Sequence, residues 1–173
     1  MKKTLLLTAA LLMALTTAWA QGPNGTGTYY QNADGLKGSA LKTKLSSIIS
    51  SGITVVSYKG LYEAYKKTDT RSDGYVRDWY SNITNYRHGV DNKGNYSQEG
   101  DMYNREHSVP QSWFGDGNIK SDIVHVRPTD GYVNNRRSNF PFGEVNSVTY
   151  QSANGYCKLG SCKTTGYSGT VFE

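Results

Sequence analysis

Apolar positions recur with helical periodicity in two stretches of the first half of the chain. The longer stretch covers residues 36–49, and its apolar members follow the turns of a helix: Leu36, Ala40, Leu41, Leu45, Ile48 and Ile49. This stripe predicts an amphipathic helix that Gly52 ends. A second, shorter helix is predicted over about residues 59–67, with Ser57 as its cap.

Strand and loop patterns follow the second helix. Asp73 and Gly74 form a turn signal, and residues 75–80 are rich in aromatic and β-branched side chains, which predicts a strand. Residues 85–102 are rich in glycine and polar side chains, so we expect loops there. No internal repeat or low-complexity tract is evident.

The centre of the chain alternates strand-like and helical patterns. Residues 105–109 and 123–126 predict two strands, and Pro128 is expected to break the second one. Thr129 is then placed to cap a helix over about residues 130–138. The order strand, loop, strand, helix, together with the earlier helices, indicates an α+β fold.

Length and composition are those of one globular domain. The chain has 173 residues, of which 36% are hydrophobic and 12% aromatic, and this composition excludes a disordered chain. The formal net charge is +5. Such a charge permits a polyanionic partner but does not identify one.

The first twenty residues have the pattern of an export signal. Lys2 and Lys3 precede an apolar run over residues 5–15, and the small residues Ala18 and Ala20 mark a cleavage site. A membrane anchor is the rival interpretation, but the run is shorter than the roughly 20 residues that span a bilayer. We therefore predict a signal peptide at 1–20, a flexible leader at 21–28 and one domain at 29–173. Loss of the two lysines would lower the net charge from +5 to +3.

Two cysteines remain in the exported part. Cys157 and Cys162 are separated by four residues, and a small disulfide loop is the favoured interpretation in an exported chain. A pair of reduced thiols is the alternative. A zinc site is disfavoured because no companion cysteine or histidine pair has ligand spacing.

The candidate chemistry begins in the stretch YNREHSVPQSWFG. Glu106 and His107 are adjacent, so on a strand their side chains would point to opposite faces. Both can reach one centre only near the end of the strand, and Pro110 is suited to such an end. A histidine near aromatic residues is more often structural than catalytic, so this pair alone is weak evidence.

The predicted helix supplies further polar groups. Asp130, Asn134 and Arg137 fall on one helix face by their i, i+4, i+7 spacing. Glu106 and Asn134 can provide the oxygen ligands that a hard divalent cation prefers. A neutral His107 imidazole could then deprotonate a water molecule for attack on phosphorus.

The two central blocks, NREHSVPQSWFG and PTDGYVNNRRSNFPFGEV, resemble the endonuclease I family of bacterial secreted and periplasmic nucleases. This family belongs to the ββα-metal (His-Me finger) nucleases. The similarity extends from about Tyr29, through VVSYKGLYEAYKKTDTR and GYVRDWYSNI, to the VFE at the end. The resemblance implies an α+β fold with a ββα-metal core, additional helices and loops.

The resemblance also implies roles for the matching residues. His107 would be the general base, and Glu106 and Asn134 would hold Mg²⁺, with Ca²⁺ or Mn²⁺ as alternatives. The reaction would leave a 5′-phosphate and a 3′-hydroxyl on DNA and, because water is the nucleophile, on RNA as well. The expected protein is an exported monomer that is not held at a membrane and cleaves without sequence specificity.

An arginine beside the scissile phosphate is typical of the family, but it usually lies in an insert that is short or missing here. We assign that catalytic role to Arg137, which matches an arginine in the helix block. The other candidates for phosphate contacts are Arg105, Arg127, Arg136 and Lys120. Arg136 and Arg137 could equally be ordinary solvated or backbone-binding charges.

Three further expectations concern the surroundings of the site. Asp122 and His125 should support either the second strand or the residues that hold the metal, and His125 facing the metal is the less favoured alternative. The nearby aromatic residues should pack in the core: Trp113, Phe114, Phe140 and Phe142. The family normally continues beyond a stretch like YSGTVFE, so we expect a domain shortened at its C-terminus.

Two other functions compete with the nuclease. A catalytically impaired, secreted module that binds nucleic acid or other polyanions would keep the same residues without turnover. A zinc hydrolase built on His88, His107 and His125 is disfavoured, because their spacing matches no zinc-ligand pattern.

Overall fold

The computed structural model describes residues 27–173. The predicted signal peptide at 1–20 and most of the predicted leader at 21–28 lie outside the described residues. The chain divides into two compact units, one ending at Thr54 and the other spanning Val55–Glu173. Within residues 27–173, no helix is both long enough and apolar enough to cross a membrane.

The first unit contains the predicted amphipathic helix. Helix α1 spans Gly38–Ser50, after a short 3-10 turn at Gln31–Ala33. The helix ends as expected: the Ser51 amide bonds the Ile48 carbonyl, and Gly52 adopts a positive φ of 73°. None of its side chains is buried. The apolar stripe therefore predicted the helix correctly without predicting a buried face.

Helix α2 opens the second unit and forms part of its first core. It spans Leu61–Thr68, and Leu61 and Tyr65 are fully buried. Ser57 was expected to cap it, but Gly60 is the N-cap. The Ser57 hydroxyl instead accepts a hydrogen bond from the Gly60 amide at 3.1 Å, which closes the turn before the helix. The first core comprises Leu61, Tyr65, Val76, Tyr86, Tyr103 and Val126.

The strand expected at residues 75–80 is absent, and that prediction was wrong. Within this stretch only Val76 makes a bridge, to Thr70. The Asp78 carboxylate accepts from the amides of Tyr80 and Ser81, at 2.8 and 3.1 Å, and so turns the chain. The Asp73–Gly74 turn is present, with Gly74 at φ 87°.

A two-stranded antiparallel sheet forms the centre of the second unit. Strand β1 spans Tyr103–His107 and strand β2 spans Val126–Asp130, with His107 opposite Val126. Residues 85–102, before β1, contain no helix or strand, as predicted. Strand β1 ends at His107, two residues before the predicted end at residue 109.

Strand β2 was misplaced by the sequence pattern. The residues before Val126 form a turn, because the Asp122 carbonyl accepts from the amides of His125 and Val126. The strand then continues through Pro128, which was expected to break it. Proline is tolerated there because a strand of a two-stranded sheet is an edge strand, and one side of its backbone needs no donor.

Helix α3 follows β2 without a loop and packs on both strands. It spans Gly131–Arg137. Its cap is Asp130, whose carboxylate accepts from the Val133 amide at 2.8 Å, so the prediction of Thr129 as cap was wrong. A Cβ on Gly131 would lie 2.9 Å from the Tyr96 ring, so only glycine allows this close start.

A second antiparallel sheet completes the unit. Its order is β3, β4, β5, spanning Val145–Gln151, Lys158–Cys162 and Thr170–Phe172. The second core joins this sheet to α3 through Tyr80, Val133, Cys157 and Phe172. The β5 strand is paired with β4, and the Glu173 carboxylate accepts from Lys158 Nζ at 2.8 Å.

Cys157 and Cys162 are free thiols, which corrects the favoured disulfide. Cys157 precedes β4 and Cys162 ends it. At about 3.3 Å per strand residue, five steps place their Cα atoms roughly 16 Å apart. A disulfide spans at most about 7 Å. Burial raises the pKa of the Cys157 thiol to about 12, which makes it unreactive.

The prediction that four aromatic residues pack in the core was wrong for three of them. Trp113, Phe140 and Phe142 are exposed, and Phe114 is half-buried. The buried aromatic residues of the two cores are four tyrosines and Phe172 instead. A hydroxyl lets a buried tyrosine satisfy polar neighbours, as the Tyr65 hydroxyl does with the Val126 carbonyl at 3.1 Å.

Candidate active site

A polar cavity of about 260 Å³ lies where β1 ends beside the last turns of α3. Its walls combine the end of β1, the turn after it and the exposed side of the helix. The lining includes several of the residues singled out from the sequence, together with Gln111. The predicted ones are Arg105, Glu106, His107, Asn134 and Arg137. The strand end therefore brings Glu106 and His107 to one cavity, as the position of Pro110 suggested.

His107 is held in one orientation and one tautomer. Its Nε2 lies 3.0 Å from the Lys120 carbonyl oxygen, which can only accept, so Nε2 carries the proton. The ring stacks on Tyr58 at 5.8 Å and contacts Phe114 and His125 at the same distance. Burial lowers the pKa of His107. The imidazole is thus neutral near pH 7, with an unprotonated Nδ1.

Glu106 is a buried carboxylate with one oxygen fully engaged. Its Oε1 accepts from the Tyr80 hydroxyl and from Arg137 Nη1, each at 2.7 Å. Burial raises the pKa of Glu106 to about 7, although Arg137 and Tyr80 both favour the ionised form. Both hydrogen bonds to described side chains use Oε1, which leaves Oε2 as the oxygen that can serve the cavity.

Asn134 presents the matching oxygen from α3. Its Nδ2 donates to the Arg105 carbonyl at 3.4 Å and to Thr129 Oγ1 at 3.3 Å. These contacts fix the amide so that nitrogen faces the strands. Both hydrogen bonds of its side chain within the described part of the chain use Nδ2, so Oδ1 remains as an acceptor.

Arg137 is the most buried large side chain of the site, with 1% of its surface exposed. Besides Glu106, its guanidinium donates to the carbonyls of His107 and Ser108, both at 2.9 Å. It also lies over the Phe142 ring at 4.6 Å. These hydrogen bonds connect α3 to the end of β1. Contact of Arg137 with a substrate phosphate stays a prediction.

The other basic candidates occupy different settings. Arg105 is sandwiched between Tyr58 and Tyr62, 3.7 and 4.5 Å from their centroids, and it borders the cavity. Arg127 lies over Trp79 and pairs with Asp69. Their roles as phosphate contacts stay predictions.

Arg136 and Lys120 remain near the surface. Arg136 is exposed and stacks on Tyr132, whose hydroxyl it also contacts. Lys120 lies 3.7 Å from Asp116, and its backbone carbonyl, not its ammonium group, is what holds His107. The Asp122 carbonyl holds the turn before β2, and the His125 ring lies against the His107 ring. A role for either side chain at a metal stays a prediction.

Sequence reasoning missed two tyrosines that shape the site. Tyr58 stacks on His107, and Tyr80 donates to Glu106. Neither belongs to the central blocks, and Tyr80 lay in the stretch wrongly predicted to be a strand. The chain has 14 tyrosines, so nothing in the local pattern distinguished these two.

The donor set fits a hard divalent cation. Glu106 and Asn134 offer one carboxylate and one amide oxygen to a cavity that has room for water molecules. Within residues 27–173, no three or more His, Cys, Asp or Glu side chains converge as a metal cluster. Two protein oxygens with water and phosphate completing the shell are typical of Mg²⁺, whereas a dedicated zinc cage needs more protein ligands.

Comparison with known proteins identifies the family of the chain. The family model described as endonuclease I matches residues 37–173, which include every residue that lines the cavity. The chain belongs to the endonuclease I family. The resemblance drawn from the two central blocks is therefore confirmed.

Two curated relatives are similar to the chain. One, an extracellular ribonuclease of Bacillus subtilis (strain 168), is 35% identical over 155 residues, covering 78% of this chain and 51% of the relative. The other, an extracellular ribonuclease of Bacillus amyloliquefaciens, is 36% identical over 122 residues, covering 68% of this chain and 40% of the relative. The chain thus spans about half the length of these relatives or less. No solved structure matches it significantly.

Proposed function

We propose that this chain is an exported, metal-dependent endonuclease that hydrolyses phosphodiester bonds of nucleic acid without sequence specificity. The observation that carries the proposal is the meeting of His107, Glu106 and Asn134 at one polar cavity. Family membership and two relatives named extracellular ribonucleases support a nuclease acting outside the cell. The signal-peptide pattern at residues 1–20 supports export independently.

In this proposal β1, β2 and α3 are the ββα-metal core. The two strands pair antiparallel, α3 follows β2 directly, and α3 packs on both strands. Glu106 comes from the strand and Asn134 from the helix, so the packing of these elements creates the site.

His107 acts as the general base. Its Nδ1 takes the proton from the attacking water while the Lys120 carbonyl holds Nε2–H and stabilises the charge that forms on the ring. The lowered pKa of His107 keeps the base neutral before reaction. The stacked rings of Tyr58 and Phe114 stop the imidazole from turning away.

Glu106 and Asn134 would hold the cation, Mg²⁺ by preference. When bound, it supplies Lewis-acid stabilisation of the negative charge on the phosphate and on the departing 3′ oxygen. The products are a 5′-phosphate and a 3′-hydroxyl. DNA and RNA are both accepted, because the reaction makes no use of the 2′-hydroxyl.

The Arg137 and Tyr80 side chains orient Glu106 in this scheme. By occupying Oε1, they leave Oε2 for the cavity, and they oppose the effect of burial, which raises the pKa of Glu106. Such supporting hydrogen bonds fix ligand geometry.

Incubation of the chain lacking residues 1–20 with plasmid DNA and with single-stranded RNA tests the proposal. We expect cleavage with Mg²⁺, none with EDTA, and none for His107→Ala; His88→Ala, a histidine that bonds Thr70 outside the cavity, should cleave normally. Retardation of the substrate without cleavage would instead identify a polyanion-binding module. Cleavage unaffected by EDTA or by His107→Ala would overturn the mechanism.

A further inference from the structure

Trp113 is an exposed tryptophan next to the candidate active site. Sixty per cent of its surface is accessible, whereas tryptophan is among the most buried side chains on average. No hydrogen bond, ring contact or cation over its ring involves this side chain within residues 27–173. No polar, aromatic or cationic contact therefore fixes the indole within the described residues.

The other tryptophan of the described residues provides a contrast. Trp79 is also partly exposed, but its Nε1 donates to Asp69 at 3.0 Å and its ring carries the Arg127 guanidinium at 5.0 Å. Its exposure is thus a consequence of a structural interaction. Trp113 lacks any such interaction among the described residues.

Backbone placement ties Trp113 to the cavity on both sides. It ends the 3-10 turn Gln111–Trp113, whose first residue lines the cavity, and its own amide bonds the Pro110 carbonyl. The next residue, Phe114, packs on His107 at 5.8 Å. The indole is therefore carried by a short turn anchored at the general base.

The charge around this turn suits a nucleic acid strand. Two arginines and one glutamate line the cavity, and Lys120 Nζ lies 5.7 Å from the centroid of the Tyr58 ring, which stacks on His107. A strand whose phosphate reached His107 would place its neighbouring bases within reach of the adjacent turn. An exposed indole is the side chain best suited to stack on such a base.

We propose that Trp113 is a base-stacking subsite that binds an unpaired nucleobase next to the scissile phosphate. This inference rests on the proposed nuclease function and deepens it. A base in a duplex is already stacked on its neighbours and is not free to stack on the indole. The subsite therefore favours single-stranded substrates over duplexes, without reading base identity.

Steady-state cleavage by four variants tests the subsite: Trp113→Phe, Trp113→Leu, Trp113→Ala and Tyr167→Ala. Tyr167 is an exposed aromatic residue between β4 and β5 and serves as the matched control. On a single-stranded oligonucleotide we expect KM to rise roughly tenfold or more for Trp113→Ala and Trp113→Leu, with kcat little changed. Trp113→Phe should retain most of the affinity, and Tyr167→Ala should match wild type.

Substrate changes give a second readout. On duplex DNA all four variants should have wild-type KM. An oligonucleotide with an abasic site on each side of the cleaved bond should remove the difference between wild type and Trp113→Ala. The salt dependence of binding should not change, since Trp113 carries no charge.

The outcomes separate the two proposals. A wild-type protein that neither cleaves nor binds nucleic acid would overturn the proposed function and the subsite with it. A wild-type protein that cleaves, with Trp113→Ala equal to wild type on single strands, would overturn the subsite alone. Equal KM increases on single strands and duplexes, or loss of affinity in Trp113→Phe as large as in Trp113→Leu, would also overturn it.

Discussion

Glu106 and His107 are adjacent on β1, but different kinds of contact fix their side chains. Glu106 forms a buried ion pair with Arg137 and accepts a hydrogen bond from the Tyr80 hydroxyl. The His107 ring stacks on Tyr58 and donates a hydrogen bond to the Lys120 carbonyl. Successive strand residues point to different neighbours, so one strand end can present two chemistries to one cavity.

The difference matches the proposed tasks. A metal-holding carboxylate must stay ionised although buried, which requires nearby positive charge. A general base must stay neutral, which burial among aromatic rings achieves because it lowers the pKa of an imidazole. Changes on the Glu106 side should therefore affect stability and metal binding, and changes on the His107 side should affect proton transfer.

The largest expected effect is on the His107 side. His107→Ala should lower kcat by about 10² to 10⁴-fold, because no other group replaces the base. The Mg²⁺ concentration for half-maximal activity should not change. Single-turnover cleavage over a Mg²⁺ series measures both quantities. If His107→Ala instead shifted the Mg²⁺ midpoint and left kcat unchanged, His107 would be a metal ligand and not the general base.

On the Glu106 side, Arg137→Leu should lower the free energy of unfolding by about 3–5 kcal/mol, because it leaves a buried carboxylate unpaired. The neighbouring Arg136→Leu is the matched control. That guanidinium is exposed, so the change should stay within about 1 kcal/mol. Urea denaturation in EDTA measures both. Equal losses of unfolding free energy in the two variants would show that the buried Arg137–Glu106 ion pair does not stabilise the fold.

Glu106→Gln and Asn134→Ala should each raise the Mg²⁺ concentration needed for activity by about tenfold or more. In Glu106→Gln the introduced amide would retain an oxygen but lose the charge that attracts the cation. Isothermal titration with Mg²⁺ alone gives the affinity without relying on turnover. Unchanged Mg²⁺ affinity in both variants would remove these residues from the metal site.

The pH dependence separates the two sides by their opposite pKa shifts. At saturating Mg²⁺, activity should fall on the acid side with a midpoint below pH 6.5, because the lowered pKa of His107 keeps its ring neutral above that value. Without metal, Glu106 should take up a proton as pH falls through about 7, so Mg²⁺ affinity should weaken below that pH. A midpoint above pH 7 at saturating Mg²⁺ would contradict the neutral base.

The smallest expected effects come from two hydroxyl deletions. Tyr80→Phe removes a hydrogen bond to the buried Glu106 and should cost about 1–2 kcal/mol of stability. Tyr58→Phe should be nearly neutral, because Tyr58 contacts His107 through its ring. Thermal unfolding compares the two. A larger loss for Tyr58→Phe would mean that polar contacts also hold the His107 side.

The sequence predicted more of the site than of its surroundings. Residues 105–107 and 130–137 lie in contiguous blocks whose order specifies strand and helix, so Glu106, His107 and Asn134 could be selected from local pattern and family resemblance. The missing strand at residues 75–80 shows the limit. Its aromatic and β-branched residues suited a strand, but Asp78 turned the chain by accepting backbone amides.

What the sequence determined by itself was local: the α1 helix, the loops of residues 85–102, the family and the identity of the polar groups. Tertiary packing decided the rest. It buried Arg137 against Glu106, left Trp113 exposed and held the two cysteines apart along β4. The spacing of residues in the sequence shows which side chains share one face of a helix or strand. Which of them become buried or paired with a charge depends on the distant elements that pack against that face.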